Sequence, residues 1–339
     1  MKRFLTIPLS KAYQFGVWIR HQLFDNHLLR AHAVEIPTIC VGNLAVGGTG
    51  KTPMTAYIVQ LLSENGYHPA VLSRGYKRKT RGFVLADEHA TTQTIGDEAM
   101  QLHLTFPKVP VAVCENRVKG VHRLQQQVPN VDVIVLDDAM QHRAIHCGMT
   151  VLLTPYDRLY IDDHMLPWGT LRDIPSRALK ADAIVVTKCP ETIRPIDMRV
   201  VDNRLHLPTY QQLHFAGIAY APLTQKGTPL VLCGIAQPEY LMTHVQQHYP
   251  QAQLMAFADH HTFSKRDINA ILQKAKHFDF VLTTDKDMQR LRHTSLEQEL
   301  LKQGKALVVQ SIQTRFLTPA KHFDDQILKY VRKNSKNNK

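Results

Sequence analysis

Residues 45–52, Ala-Val-Gly-Gly-Thr-Gly-Lys-Thr, carry the clearest chemical meaning in this chain. In a glycine-rich turn of this kind, backbone N–H groups point at phosphate oxygens, and the helix that follows adds partial positive charge. Lys51 would reach the β- and γ-phosphates of a nucleotide, and the Thr52 hydroxyl would bind Mg²⁺. Ala45 replaces the usual first glycine, so the P-loop pattern is met in its looser form. The other predicted phosphate-binding residues are Gly47, Gly48, Thr49 and Gly50.

A second candidate site follows the apolar run 133–136, which ends in Asp137 and Asp138. In P-loop enzymes an acidic residue at the end of a neighbouring strand holds Mg²⁺ beside the lysine and threonine. One carboxylate could organise the metal while the other contacts the metal shell or the acceptor, and the pattern leaves open which does which. A strand followed by an Asp-rich turn would give the same residues without a metal. The phosphate-binding turn upstream favours Thr52, Asp137 and Asp138 as metal ligands.

Two further polar positions, Asp97 and His260, each allow two interpretations. Asp97 follows Gly96 and precedes a helical pattern, so it could be a helix cap or a catalytic carboxylate. His260 lies in an Asp-His-His run between a predicted strand and a predicted helix. No spacing of Cys and His residues supplies a zinc site. A histidine that orients a carboxylate base is the simpler chemistry.

The elements that position these residues follow from apolar, β-branched runs that alternate with helical patterns. Strands are predicted at 38–42, 70–73, 109–114, 133–136, 151–154 and 183–187, and helices at 53–64, 97–104, 117–127 and 198–204. After about residue 211 a second set begins, with strands at 230–234, 254–257, 280–283 and 306–310 and helices at 238–248 and 265–276. The predicted fold class is α/β: a P-loop NTPase-like, mostly parallel sheet flanked by helices, with a second, smaller α/β domain.

Composition limits the class of protein. The chain has 339 residues, of which 44% are hydrophobic and 21% charged, and no run approaches the ~20 apolar residues of a membrane span. We therefore expect a soluble or peripheral protein with domains at 31–215 and 216–330 and a disordered basic tail at 331–339. The five cysteines occur singly, which favours free thiols in a reducing compartment over disulfides.

The net charge of +12 predicts an anionic partner, which could be a nucleotide, a nucleic acid or a membrane surface. No RNA-binding aromatic signature or helix-turn-helix is visible, so no nucleic-acid partner is expected. Residues 1–30 form an amphipathic helical pattern with an apolar stripe at Leu9, Tyr13, Val17, Phe24 and Leu28. Such a stripe could face a protein core or lie in a membrane interface, and the pattern fits both.

Taken together, these motifs resemble the tetraacyldisaccharide 4'-kinases, which phosphorylate the lipid A precursor. The matching segments follow one another in order along most of the chain: VGNLAVGGTGKTP (41–53), LSRGY (72–76), GDE (96–98), LDDAMQH (136–142), LPWGTLR (166–172) and DH (259–260). This chain departs from the family pattern at Ala99, at Ala139-Met140 and at Asp173-Ile174. These departures leave the ionisable residues in place.

The resemblance implies ATP and Mg²⁺ as cofactors and a kinase domain over which the smaller domain closes. The reaction it implies is phosphorylation of the 4'-hydroxyl of a tetraacyl glucosamine disaccharide 1-phosphate, forming lipid IVA. It places the protein peripherally at the cytoplasmic face of the bacterial inner membrane, where helix 1–30 would contact the anionic surface. No obligate protein partner is implied.

The resemblance also assigns roles by position. Asp97 resembles the base that receives the proton of the sugar hydroxyl, with His260 orienting it. Lys51, Thr52, Asp137 and Asp138 would hold the triphosphate and the metal. Candidate donors to substrate or phosphates are Arg74, Tyr76, Arg117, Gln141, His142 and Arg172.

The main alternative is a P-loop GTPase or ATPase switch, or a metallochaperone-type protein. Residues 186–190, Val-Thr-Lys-Cys-Pro, lie at a strand end where guanine recognition would require N-K-x-D, and Pro190 cannot accept the N–H bonds of guanine. A metal-carrying role would need a Cys or His cluster that the sequence lacks. A nucleic-acid-dependent ATPase is supported by the net charge alone.

Overall fold

A computed structural model describes residues 2–292 and 294–335 of the chain. Its helices are α1 Lys2–Asp25, α2 Lys51–Glu64, α3 Thr92–Ile95, α4 Asp97–Thr105, α5 Arg117–Gln127, α6 Pro195–Leu205, α7 Pro238–His248, α8 Lys265–Ala275, α9 Asp285–Leu291, α10 Leu296–Lys302 and α11 Ala320–Asn334, with a 3₁₀ helix at Pro175–Lys180. Its strands are β1 Thr38–Asn43, β2 Pro69–Ser73, β3 Val84–Leu85, β4 Val111–Val113, β5 Val133–Asp137, β6 Met149–Pro155, β7 Ala183–Thr187, β8 Gln212–Tyr220, β9 Pro229–Cys233, β10 Gln253–Ala256, β11 Phe280–Thr284, β12 Leu307–Gln310 and β13 Ile312–Phe316.

The larger sheet has the strand order β13-β8-β7-β6-β1-β5-β2-β4-β3. Its strands pair in parallel, except that β3 and β13 pair antiparallel at the two edges. Strand β1 lies between β5 and β6, and Val41 pairs with Asp137. Because parallel strands end at the same edge, the turn after β1 and the acids that end β5 emerge together. The predicted mostly parallel, helix-flanked sheet is confirmed.

The smaller sheet has the order β10-β9-β11-β12 and is parallel throughout. Helix α7 covers one face through Leu241 and Val245. Helix α8 covers the other through Ile268 and Ile271. Each face therefore has its own apolar layer, as the near-continuous hydrophobic character of these strands requires.

The sheets divide the chain differently from the expected ranges 31–215 and 216–330. Strands β8 and β13 both belong to the larger sheet, and α11 buries Phe323, Ile327 and Val331 in the core of that sheet. The smaller sheet spans 229–310 and is thus inserted between two strands of the larger domain. The physical reason is that β13 pairs with residues 216–220 of β8. Tyr220 lies opposite Ile312, so the chain leaves the larger sheet and returns to it at neighbouring points.

The ends of the chain also differ from expectation. Residues 331–334 of the expected tail complete helix α11, and residues 336–339 lie outside the described residues. Helix α1 is present over most of the expected 1–30 segment, and Ser10 and His21 are buried against the larger domain. In the described part of the chain, no helix combines the length and apolar character needed to cross a membrane.

Candidate active site

The phosphate-binding turn joins β1 to α2. Gly47 and Gly50 have φ values of 102° and 88°, a region that favours glycine, and Gly50 precedes α2 without a side-chain cap. The first N–H groups of α2 therefore have no capping side chain and are free to bind an anion. Thr49 is held from both sides, since its carbonyl accepts from Thr187 Oγ1 at 2.9 Å and its hydroxyl accepts from Asn43 Nδ2 at 2.7 Å.

Asp137 is fully buried at the end of β5. Its Oδ1 atom accepts a hydrogen bond from Thr55 Oγ1 of α2 at 3.0 Å, whereas Oδ2 is buried without a partner among the described residues. Burial, together with the nearby charges of Glu98 and Asp138, raises the pKa of Asp137 to about 7. A buried carboxylate oxygen without a partner is unfavourable unless a cation binds it.

Asp138 has the opposite electrostatic environment. Arg172 donates to both of its carboxylate oxygens, and Lys51 Nζ lies 3.9 Å from Oδ2. Burial raises the pKa of Asp138, but the charges of Lys51 and Arg172 outweigh it and lower the pKa overall. Asp138 has a positive φ of 50°, so the chain turns sharply here and presents the carboxylate to the phosphate-binding turn.

These residues fit a Mg²⁺ ion. Mg²⁺ takes oxygen ligands and at nucleotide sites uses one or two carboxylates together with substrate phosphates. The orphaned Oδ2 of Asp137, the adjacent Asp138 and the Thr52 hydroxyl supply such a set. Glu98 adds a third nearby carboxylate that our sequence reasoning did not select, although the Gly-Asp-Glu motif contains it.

The Asp97 and His260 side chains meet across the two domains. His260 Nδ1 lies 3.1 Å from Asp97 Oδ2. Asp97 is the first residue of α4, after Gly96 with its φ of 86°, and His260 follows β10 with a positive φ of 61°. The N-cap position of α4 is Gly96, and the Asp97 carboxylate contacts His260 of the smaller domain. This arrangement favours the catalytic interpretation over the helix-cap interpretation.

Two basic residues of α9 contact the Asp97–His260 pair. Neither was predicted from the sequence. Lys286 Nζ lies 3.3 Å from His260 Nε2 and 3.0 Å from Asp259 Oδ1. Arg290 Nε lies 3.8 Å from Asp97 Oδ2. The Thr-Thr-Asp-Lys-Asp run at 283–287, where β11 passes into α9, contains Lys286 and was the available signal for it; Arg290 lies beyond that run.

The six candidate substrate donors divide into two groups. Arg74, Tyr76 and Arg172 line the cleft between the domains, and the Tyr76 ring packs edge-on against His260 with 5.5 Å between ring centroids. The other three are not among the residues that line the cleft: Arg117, Gln141 and His142.

Arg117 is a buried structural residue. Its guanidinium donates to the carbonyls of Cys114, Glu115 and Asp138, and its backbone N–H donates to His142 Nε2 at 3.3 Å. Burial and the charge of Arg117 lower the pKa of His142 to about 4. Gln141 is similarly occupied, because it donates to the Asn43 carbonyl at 2.7 Å. These three residues therefore support the strand ends that hold the site instead of facing the cleft.

The cleft has a volume of about 490 Å³ and is lined by both domains. The larger domain contributes the whole phosphate-binding turn, Asp138 and Glu98, and the smaller domain contributes Gln237, His260 and Lys286. A nucleotide and a second substrate would thus meet between the sheets, at the carboxyl ends of the strands of the larger domain.

Comparison with known proteins gives a consistent result. The family model described as Tetraacyldisaccharide-1-P 4'-kinase matches residues 2–332. The chain is 40% identical to a tetraacyldisaccharide 4'-kinase of Bacteroides thetaiotaomicron, over 97% of this chain and 93% of that protein. It is 39% identical to one of Flavobacterium johnsoniae, over 98% of each.

A solved structure shares the fold. The crystal structure of the apo form of LpxK from Aquifex aeolicus in complex with ATP aligns with a TM-score of 0.74, covering 98% of this chain and all of that chain at 22% identity. The family match spans nearly the whole chain and the curated relatives are matched over almost their full length. This chain therefore belongs to the tetraacyldisaccharide-1-P 4'-kinase family.

Proposed function

We propose that this protein transfers the γ-phosphoryl group of ATP to the 4'-hydroxyl of a tetraacyl glucosamine disaccharide 1-phosphate, the lipid A precursor, forming lipid IVA. The observation that carries the proposal is one cleft lined by the phosphate-binding turn and by His260, whose ring contacts Asp97 of the other domain. Membership of the family supports a kinase over the alternatives of a GTPase switch or a metallochaperone.

Nucleotide binding is assigned to the larger domain. The N–H groups of residues 47–52 surround the phosphates, and the Lys51 ammonium neutralises the β- and γ-phosphates. Asp137, Asp138 and Thr52 would hold Mg²⁺, which when bound neutralises charge on the transferring phosphoryl group. Arg172 keeps Asp138 ionised and oriented through its two donated hydrogen bonds.

Proton transfer is assigned to Asp97. As the sugar oxygen bonds to the γ-phosphorus, its proton passes to the Asp97 carboxylate, and the bond between the γ-phosphorus and the bridging oxygen breaks to release ADP. His260 bonds one carboxylate oxygen of Asp97 and thereby aims the other oxygen. Phosphoryl transfer depends mainly on positioning and charge neutralisation, so a base of ordinary carboxylate strength suffices.

Helix α1 would bring this site to a membrane-held acceptor. Phe15 and Trp18 are 60% and 46% exposed, and Leu9 and Ile19 are exposed as well. Arg20 lies on the same helix, with its guanidinium over the Phe24 ring. An aromatic and basic helix that buries only part of its surface is typical of proteins that lie in the interface of an anionic bilayer. We place the protein peripherally at the cytoplasmic face of the inner membrane.

Replacing Phe15 and Trp18 with serine should lower the affinity for anionic phospholipid vesicles by about tenfold or more, because both apolar side chains would leave the interface. Vesicle co-sedimentation measures this change. Leu301→Ser, at an exposed apolar position of α10, is the matched control and should bind vesicles normally. If the double variant bound vesicles as well as the wild type, α1 would not be the part of the protein that contacts the membrane.

The experiment that tests the proposed function follows label from γ-labelled ATP with Mg²⁺ to the tetraacyl disaccharide 1-phosphate in detergent. We expect labelled lipid with ATP, little with GTP and none with Lys51→Ala. Nucleotide hydrolysis at the same rate with and without the lipid acceptor, or a preference for GTP over ATP, would favour the GTPase or ATPase switch.

A further inference from the structure

Side chains of helix α1 form hydrogen bonds to two loops of the larger domain. One loop, 156–174, carries Arg172, and the other, 138–148, begins at Asp138. These bonds include Ser10 Oγ to the Met165 carbonyl at 2.7 Å, Tyr13 hydroxyl to the Arg172 carbonyl at 3.1 Å, Arg20 to the Gln141 carbonyl at 2.9 Å, and His21 to Asp173 at 2.5 Å.

The shortest of these contacts is a buried hydrogen bond between His21 and Asp173. His21 Nε2 lies 2.5 Å from Asp173 Oδ1, and the two side chains are 2% and 1% exposed. Arg143 donates to the His21 carbonyl at 3.0 Å and to Asp25 at 2.6 Å. Burying polar groups is costly, and an anchoring helix would need only apolar contacts. The His21–Asp173 contact therefore indicates that α1 is held in one defined position relative to the loop, and is not merely attached to it.

The loop continues this connection to the phosphate-binding turn. The N–H of Arg172 donates to the Leu44 carbonyl at 2.8 Å, and Val46 N–H donates to the Thr170 carbonyl at 2.8 Å. Residues 170–173 thus lie alongside the start of the turn as a short antiparallel pair. The Arg172 guanidinium then bonds Asp138 and, at 2.6 Å, Asn43 Oδ1.

We propose that His21 and Asp173 are positioning residues for phosphoryl transfer. Their hydrogen bond fixes α1 relative to the segment that carries Arg172. The position of α1 therefore determines how Arg172 bonds Asp138 and where the phosphate-binding turn lies. Helix α1 is thereby part of the framework of the active site as well as its contact with the membrane. This inference rests on the proposed function of the cleft.

The expected decrease in transfer rate follows from the position of Asp173 next to Arg172 in the chain. Asp173 is bonded directly to Arg172, so a displaced Asp173 displaces the guanidinium that orients Asp138. Misplacing a group at a transfer site by about 1 Å costs on the order of 10²-fold in rate. Loss of a supporting contact behind a metal-binding carboxylate costs about 10- to 100-fold.

The test measures steady-state kinetics in detergent micelles, where docking to a bilayer plays no part. His21→Ala and Asp173→Asn should lower kcat about tenfold and leave KM for the lipid acceptor unchanged. Asp173→Glu, which keeps the carboxylate, should recover most of that loss. His68→Ala removes a histidine of an exposed His-Asp pair with Asp132 at the far end of the sheet and serves as the matched control.

A milder variant separates positioning from folding. Tyr13→Phe removes only the hydroxyl that donates to the Arg172 carbonyl, so it should lower kcat about threefold with an unchanged melting temperature. Wild-type kcat in Tyr13→Phe and in Asp173→Asn would overturn the proposal. Lys51→Ala runs in the same assay: if it also retains full activity, the proposed function of the cleft fails, whereas a loss confined to Lys51→Ala rejects the positioning role alone.

Discussion

Replacing Asp97 with alanine should lower the rate of phosphoryl transfer by about 10²- to 10⁴-fold, the range expected for loss of a general base. The affinity for MgATP should stay near that of the wild-type protein, because Asp97 belongs to the pair with His260 and not to the phosphate-binding turn. Single-turnover label transfer gives the rate, and equilibrium binding of a labelled nucleotide gives the affinity.

The matched control for this variant is Asp267→Ala. Asp267 also bonds a histidine of the smaller domain, His261, at 3.1 Å, but His261 does not line the cleft, whereas the His260 partner of Asp97 does. Its loss should weaken the start of α8 and leave the transfer rate close to normal. A wild-type transfer rate for Asp97→Ala would remove this carboxylate from the mechanism.

Replacing Asp137 with asparagine should make the nucleotide-free protein more stable at pH 8 and much poorer at binding MgATP. Burial, Glu98 and Asp138 raise the pKa of Asp137 from an ordinary 3.8 to about 7. Between these two values the folded protein holds a proton that the unfolded chain releases, so stability falls as pH rises through this window. Above pH 7 the folded protein carries the full cost of a buried charge, which asparagine removes.

We expect the melting temperature of Asp137→Asn to exceed that of the wild type by on the order of 5 °C at pH 8, and the difference to shrink toward pH 4. Its affinity for MgATP should fall at least about tenfold. Differential scanning calorimetry across pH, with and without MgATP, measures both effects. Asp132→Asn, just before the other end of β5, is the control.

A stability difference that is the same at pH 4 and pH 8 would contradict this interpretation of Asp137. In the wild-type protein, nucleotide and metal should raise the melting temperature most at high pH, because the ligand then neutralises a charge already present. That pH dependence should be absent in Asp137→Asn. Asp137 would thus lower the stability of the nucleotide-free protein while being needed for MgATP binding, as is common for active-site groups.

The phosphate-binding turn and the acids that end β5 could be predicted from the sequence because both depend on local patterns. A buried strand, a glycine-rich turn and a helix follow one another within a few residues, and parallel pairing brings the ends of β1 and β5 together. The predicted strands of both sheets coincide with observed ones to within a few residues.

The Asp97–His260 contact could not be predicted from local patterns. The two residues are separated by 163 positions and meet only because the smaller domain packs across the carboxyl edge of the larger sheet. Their pairing was suggested by the resemblance to the family, and the spacing alone left Asp97 as either a cap or a base. Lys286 and Arg290 were missed for the same reason.

The pairing of strands β8 and β13 also could not be predicted from the sequence. Strand β13 alternates half-buried and exposed residues over five positions, a weak signal that a short polar segment also gives. It becomes a strand because β8 offers an unpaired edge, and α11 then covers the sheet with Phe323 and Ile327. The guanidinium of Arg117 bonds three backbone carbonyls, a contact that the local sequence pattern does not show, and its role as a donor to substrate stays a prediction.

The measurement that tests the central claim most directly compares the natural tetraacyl disaccharide 1-phosphate with an analogue in which hydrogen replaces the 4'-hydroxyl. Mass spectrometry and phosphorus NMR of the products locate the new phosphate. We predict one new phosphate, at the 4'-position of the natural acceptor, and no transfer to the analogue. In Asp97→Ala, transfer to the natural acceptor should fall by about 10²- to 10⁴-fold. Phosphorylation of the analogue, or of another hydroxyl of the natural acceptor, would contradict the account.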